Sequence, residues 1–169
     1  MSGTTATDAD DIALRQRAAR VLAGASTSEL AECWADWPDR PEVEYLRGPE
    51  SGLVMVQGRM GGSGDRFNLG EATVVRATAL VRGGALTSEF VGTSYVLGSD
   101  PEHAGLAAVF QALLGDPVQR NRVVEEVIEP LQLRQSTSDA GVRAQANATT
   151  VNFFTVAREN SGGVEEDDE

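Results

Sequence analysis

The 169-residue chain predicts an α+β fold: an antiparallel sheet of about four strands, helices on its N-terminal and C-terminal sides, and a disordered acidic tail. Three observations carry this expectation. Apolar residues recur at helical spacing before residue 38 and after residue 100, glycine-punctuated runs rich in β-branched residues lie between them, and the chain closes on Glu165-Glu166-Asp167-Asp168-Glu169. At 41% hydrophobic residues the chain has enough apolar material for one core, so a single domain over residues 1–160 is expected, with residues 1–8 flexible and 161–169 a solvated tail.

From about Asp8 to Ala23 the residues Ile12, Ala19, Leu22 and Ala23 share a helical face among arginines, and Gly24 ends the run. Ser26-Thr27-Ser28-Glu29 has the form of a capping box, because the serine hydroxyl and the glutamate three residues on satisfy each other's free amides. Leu30, Cys33, Trp34 and Trp37 then share one face until Pro38. Val43 to Arg47, Leu53 to Met60, Ala72 to Val81 and Glu89 to Leu97 read as four strands, with Arg82-Gly83-Gly84-Ala85 turning the third into the fourth. Asp100-Pro101-Glu102 combines a capping side chain, a first-turn proline and an acid facing the helix dipole, and the helix it starts runs to Gly115. A further helical stretch from about Val118 to Val127 precedes Pro130. The chain then passes through a polar segment, Gln135 to Ala148, to the apolar Val151-Asn152-Phe153-Phe154-Thr155.

Composition removes whole classes of chemistry. All 14 basic residues are arginine, so a phosphate-binding P-loop lysine and a Schiff-base amine are both impossible. One histidine and one cysteine, Cys33, cannot build a structural zinc site or ligate an iron-sulfur cluster, so no metal site is expected. A net charge of −12 opposes nucleic acid and anionic membranes as partners. Apolar runs are only a few residues long, against the ~20 a membrane helix needs. The start, Met1 to Asp8, lacks a basic and then apolar leader, and cytoplasm is the expected compartment.

Arg59-Met60-Gly61-Gly62-Ser63-Gly64-Asp65-Arg66-Phe67 sets three glycines between two arginines. Glycine reaches positive φ freely, so the backbone can present amides to an anion while planar guanidinium forks hold its oxygens. Arg59 and Arg66 are then charge clamps, Gly61, Gly62 and Gly64 give backbone approach, and Arg76 is a third clamp or a strand charge. The other reading is a strand connection that uses glycine for its turn. The segment fails the dinucleotide fingerprint, since no helical pattern follows it.

His103 is the one side chain whose ordinary pKa suits proton transfer near neutrality, and Glu50 and Glu71 are its candidate acidic partners, or partners of nearby arginines. A structural histidine is the competing reading. Trp34, Phe153 and Phe154 are candidate interface anchors, because large aromatic rings bury much area whether in a core or against another chain.

Several landmarks fall in one order: Glu50-Ser51-Gly52-Leu53-Val54, the arginine-glycine segment, Gly70-Glu71-Ala72-Thr73 with Arg76, Tyr95-Val96-Leu97-Gly98, the Asp100 to Ala104 stretch, and Val151 to Thr155 with Arg158. In this the chain resembles the PhnG subunit family of the bacterial carbon-phosphorus lyase system over roughly residues 12–158. It departs at Tyr95, where the family often carries tryptophan, and in lacking a cysteine in the helix after His103. The resemblance implies a cytoplasmic complex with PhnI, PhnH and PhnJ subunits, in which an alkylphosphonate displaces adenine from ATP to give a ribose 1-phosphonate 5-triphosphate. It places carbon-phosphorus cleavage, with its iron-sulfur cluster and S-adenosylmethionine, in PhnJ. The phosphonate and the triphosphate would be the anions at the arginine-glycine segment, with ATP the substrate of the complex. A noncatalytic scaffold role is the alternative.

Overall fold

The computed structural model describes residues 4–148, with side chains for residues 9–145. Phe153, Phe154 and the acidic tail lie outside the described residues. In order come α1 (Thr4–Ala23), α2 (Thr27–Ala35), β1 (Glu42–Arg59), β2 (Arg66–Arg82), β3 (Phe90–Leu97), α3 (Pro101–Leu113), α4 (Arg120–Arg122), a π-helical turn (Val123–Ile128) and α5 (Glu129–Ala148).

The predicted α+β class holds, with three strands rather than four. The sheet order is β1-β2-β3, antiparallel throughout. The two runs Val43 to Arg47 and Leu53 to Met60 are one strand because Gly48-Pro49 is absorbed by register shifts on either side of Arg47 instead of ending the strand. β1 is an edge strand, and an edge is where a proline without an N–H and a bulge are tolerated.

Along β2 the alternation sorts the sheet's two faces. Val75, Ala77, Ala79 and Val81 are fully buried, while Val74, Arg76, Thr78 and Leu80 point the other way. The buried face receives α3, which is buried almost all round because α1 and α2 cover its far side. Close approach is built in at Gly92 of β3, where a Cβ would lie 2.1 Å from the Ala108 carbonyl oxygen and 2.2 Å from the Ala112 nitrogen. The Ser94 hydroxyl donates to the Ala104 carbonyl at 2.6 Å and ties the same two elements.

The caps form as read. Ser26 and Glu29 make the reciprocal capping box of α2, and the Asp100 carboxylate accepts the His103 amide at the start of α3. α1 buries Leu14, Ala18, Val21 and Leu22 and leaves Ile12 exposed, so the core takes a stripe offset from the one expected from Ile12 and Ala19. Both stripes fit a 3.6 period, and the buried one brings Val21 and Leu22 inward together. Pro130 does not end the last helix. The Glu129 amide donates five residues back to Val124, and this wider turn delivers Pro130 as an early residue of α5, where no N–H is needed.

Four carboxylates are held below their ordinary range near 4. Asp11 is lowered by its bond to Arg15, Glu29 by the Ser26 amide, Glu42 by Arg82 and Asp100 by the Thr27 hydroxyl. Each therefore binds a proton less readily in the folded chain than in the unfolded one. The stability they add is complete above the unfolded value and is lost as pH falls through the folded one. Thermal melts between pH 7 and 3 should show a midpoint that drops below about pH 4. A midpoint that rises on acidification would contradict these pairings.

Candidate functional site

The sheet's register divides the candidate residues into separate places. Arg59 and Arg66 face each other as the last pair of β1 and β2, at the tip of the hairpin. Met60–Gly62 turn the chain there, with Gly61 at φ 60° and Gly62 at φ 80°, left-handed values that suit glycine. Gly64 is needed for another reason: its amide donates to the Met60 carbonyl at 2.9 Å, and a Cβ would meet that oxygen at 2.7 Å. One Nη of Arg59 donates to the Gly64 carbonyl at 3.1 Å. Among the described residues neither arginine has a carboxylate within ion-pair distance. Two guanidinium groups directly across a strand pair repel, and an anion between them turns that repulsion into attraction. A hollow of about 350 Å³, lined by Gln57, Gly58, Arg59 and Arg66, opens at this end.

Arg76 is elsewhere. It stands ten residues further along β2, roughly 33 Å from Arg66 at strand rise, on the sheet face that carries no helix. Its Nη2 and Nε lie 2.7 and 2.8 Å from Glu50 Oε1, and Arg47 Nε approaches the same oxygen at 3.5 Å. Glu50 thus accepts from Arg76 and forms a looser ion pair with Arg47 across a bulge. Tyr95, paired with Arg76 in register, and Val54, Val74 and Leu53 complete an open hollow of about 290 Å³. Glu71 pairs with Met55 in the hairpin, and among the described residues it makes no ion pair.

His103 joins neither place. It is 8% exposed, and its Nε2 lies 2.8 Å from the Leu22 carbonyl, which can only accept, so Nε2 carries the hydrogen. The ring bolts the first turn of α3 to the end of α1. Gln135 of α5 does the same for the neighbouring carbonyl, donating to Val21 at 2.9 Å. Trp34 is half-buried, edge-on to Phe110 with ring centres 6.2 Å apart. Among the described residues no three His, Cys, Asp or Glu side chains converge to hold an ion. No described helix is long and apolar enough to cross a membrane.

Arg47 and Tyr95 went unread as site residues. The only signal for Arg47 was its three-residue distance from Glu50, which makes sense only once the bulge is known. Also unread was the exposure of the hairpin beyond Leu53. Four consecutive apolar residues, Leu53 to Val56, put hydrophobic side chains on both faces of a strand, and spacing alone does not state whether other layers cover them.

Fold and surface define a small α+β protein whose candidate anion-binding arginines lie on open strands rather than in an enclosed cavity, a form that suits a component of a larger assembly. The family model described as phosphonate metabolism protein PhnG matches residues 13–159. The alpha-D-ribose 1-methylphosphonate 5-triphosphate synthase subunit PhnG of Rhizobium meliloti (strain 1021) is 42% identical over 158 residues, which cover 94% of this chain and 97% of that protein. This chain belongs to the PhnG family.

Proposed function

We propose that this chain is a subunit of a ribose 1-phosphonate 5-triphosphate synthase, working with a PhnI-type subunit and with PhnH- and PhnJ-type subunits of the carbon-phosphorus lyase complex. The observation that carries the reading is the near full-length similarity to a synthase subunit. In the reaction, an oxygen of the alkylphosphonate forms a bond to C1′ of the ATP ribose, the bond from C1′ to the adenine nitrogen breaks, and adenine leaves with a proton. ATP is a substrate of the complex. The iron-sulfur cluster and S-adenosylmethionine belong to the later cleavage in the PhnJ-type partner.

Within that reaction this chain supplies charge, not a nucleophile. Arg59 and Arg66 hold triphosphate or phosphonate oxygens at the hairpin tip, where two guanidinium groups without a carboxylate partner among the described residues favour a polyanion despite the chain's net charge of −12. In the Arg47-Glu50-Arg76 cluster two guanidinium groups share one carboxylate, which holds Arg76 in place and shapes the sheet face. His103 acts as a positioning residue, because its Nε2 hydrogen is committed to Leu22.

The test is the double variant Arg59→Ala/Arg66→Ala, purified with the other synthase subunits and assayed for adenine release. The complex should assemble normally and turnover should fall at least ~100-fold, equivalent to about 2.7 kcal/mol at the transition state. Full turnover in an intact complex would remove the clamp role and leave the noncatalytic scaffold reading standing.

A further inference from the structure

The last pair joining β2 to β3 is Val74 with Leu97, yet β1 and β2 remain paired as far as Arg59 and Arg66. From Leu53 and Thr73 outward the two strands form a bare ribbon of seven residues on the β1 side, roughly 23 Å long. Both faces carry exposed apolar side chains among Gln57, Asn68, Glu71 and Thr73. Leu53 and Met55 lie on the side that faces the helices, while the register shift after Val56 puts Phe67 and Leu69 on the other side with Val54 and Val56, and Leu53 and Leu69 are 65% and 62% exposed. Gly58 leaves room for the Leu69 side chain, which lies where a Cβ would be. Long, flat, exposed apolar strands invite association, and a stable free protein avoids them.

We infer that this ribbon inserts into an apolar cleft of another protein, one that holds a nucleotide triphosphate at the closed end of the cleft, so that docking carries Arg59 and Arg66 to the anion. The inference rests on the proposed synthase reading. Charge supports it: short of its tip the ribbon carries a single charged side chain, Glu71, and it ends in two guanidinium groups without a carboxylate partner among the described residues. Area supports it as well. Two faces about 23 Å long and about 10 Å wide present on the order of 460 Å² before the tip and edges are counted, more than half of the ~800 Å² per partner of a standard interface. On a second copy, the hollows of about 130 and 290 Å³ among the described residues of the helical body are far smaller than the ~2,300 Å³ such a ribbon fills.

The experiment uses the full chain co-expressed with the other synthase subunits. In one variant Val54–Ala72 is replaced by Asn-Gly, closing the hairpin at the Leu53–Thr73 pair with a two-residue turn. In a second, Met55→Glu and Leu69→Glu leave the tip arginines in place. Both should keep the circular dichroism and melting temperature of the isolated chain, lose at least tenfold in co-purified partner, and lose adenine release in step. A shortened chain that assembles stoichiometrically would overturn the inference. So would an isolated wild type that is dimeric by light scattering and becomes monomeric on shortening, since the occupant would then be a second copy. If the wild type itself fails to assemble with these subunits, the synthase reading fails and the inference falls with it.

Discussion

Replacing Gly92 by alanine is expected to destabilise the protein by about 4 kcal/mol, beyond the 1–3 kcal/mol usual for an overpacked core. A new methyl would sit 2.1 Å from the Ala108 oxygen and 2.2 Å from the Ala112 nitrogen, both backbone atoms of α3. Carbon and oxygen rest at about 3.3–3.6 Å, so the strand and helix must separate by more than an ångström. No side-chain rotation relieves this. Separation strains the Ser94 bond to Ala104 and opens the layer of alanines, Ala104, Ala107, Ala108 and Ala112, that lets α3 lie so close. Close-packed interiors transmit such a shift and do not absorb it locally. Against a typical total of 5–15 kcal/mol the loss is large, and Gly92→Val should yield no folded chain. Urea unfolding followed by circular dichroism measures it; an alanine variant with an unchanged midpoint would show that β3 and α3 are not in backbone contact.

Phe110→Ala should cost a similar amount, about 3–5 kcal/mol, through a cavity instead of a clash. Phe110 is fully buried at the centre of α3 and meets two tryptophans edge-on, Trp34 at 6.2 Å and Trp37 at 5.8 Å. Each such pair adds about 0.5–1.5 kcal/mol beyond area alone. The Arg122 guanidinium lies 5.4 Å from the Trp37 ring centre, so the cluster also joins α2 to α4. Tryptophan fluorescence during denaturation reads both the stability and the loss of the aromatic contact. A loss under 1 kcal/mol would contradict the packing described. There is a functional corollary for Trp34. Because its ring helps to build the core, weaker partner binding in Trp34→Ala counts as an interface effect only if the variant's melting temperature is preserved.

Local chemistry was legible and long-range register was not. The capping box of Ser26 and Glu29 and the Asp100 start of α3 are made within four residues, so sequence spacing states them completely. The strand runs were visible from alternation, but whether Gly48-Pro49 ends a strand or bulges within it depends on being at a sheet edge, which the neighbouring strands decide. Pro130 misled for a similar reason: a proline breaks a helix unless the preceding turn widens, and the widening is set by packing of Val123, Val127 and Ile128. The arginines show the same division. Arg59 and Arg66 are joined by a short turn and were grouped correctly, whereas Arg76, only ten residues from Arg66, is carried to the far part of the strand and given to Glu50. His103 lies in the first turn of the helix that Asp100 starts. Its partner, the Leu22 carbonyl, is 81 residues away and no pattern announces it.

That carbonyl has a consequence for where the protein can be cut. The joint at Gly24 to Ser26 looks like a natural place to trim the chain, yet the helix before it ends in two oxygens claimed by donors from α3 and α5. Amputation there would remove the acceptors of the His103 and Gln135 hydrogens together with the apolar residues Leu22 and Ala23 that lie beside Ala107 of α3. The leading helix is a keystone, and a minimal fragment of this family member begins no later than the residues that form it.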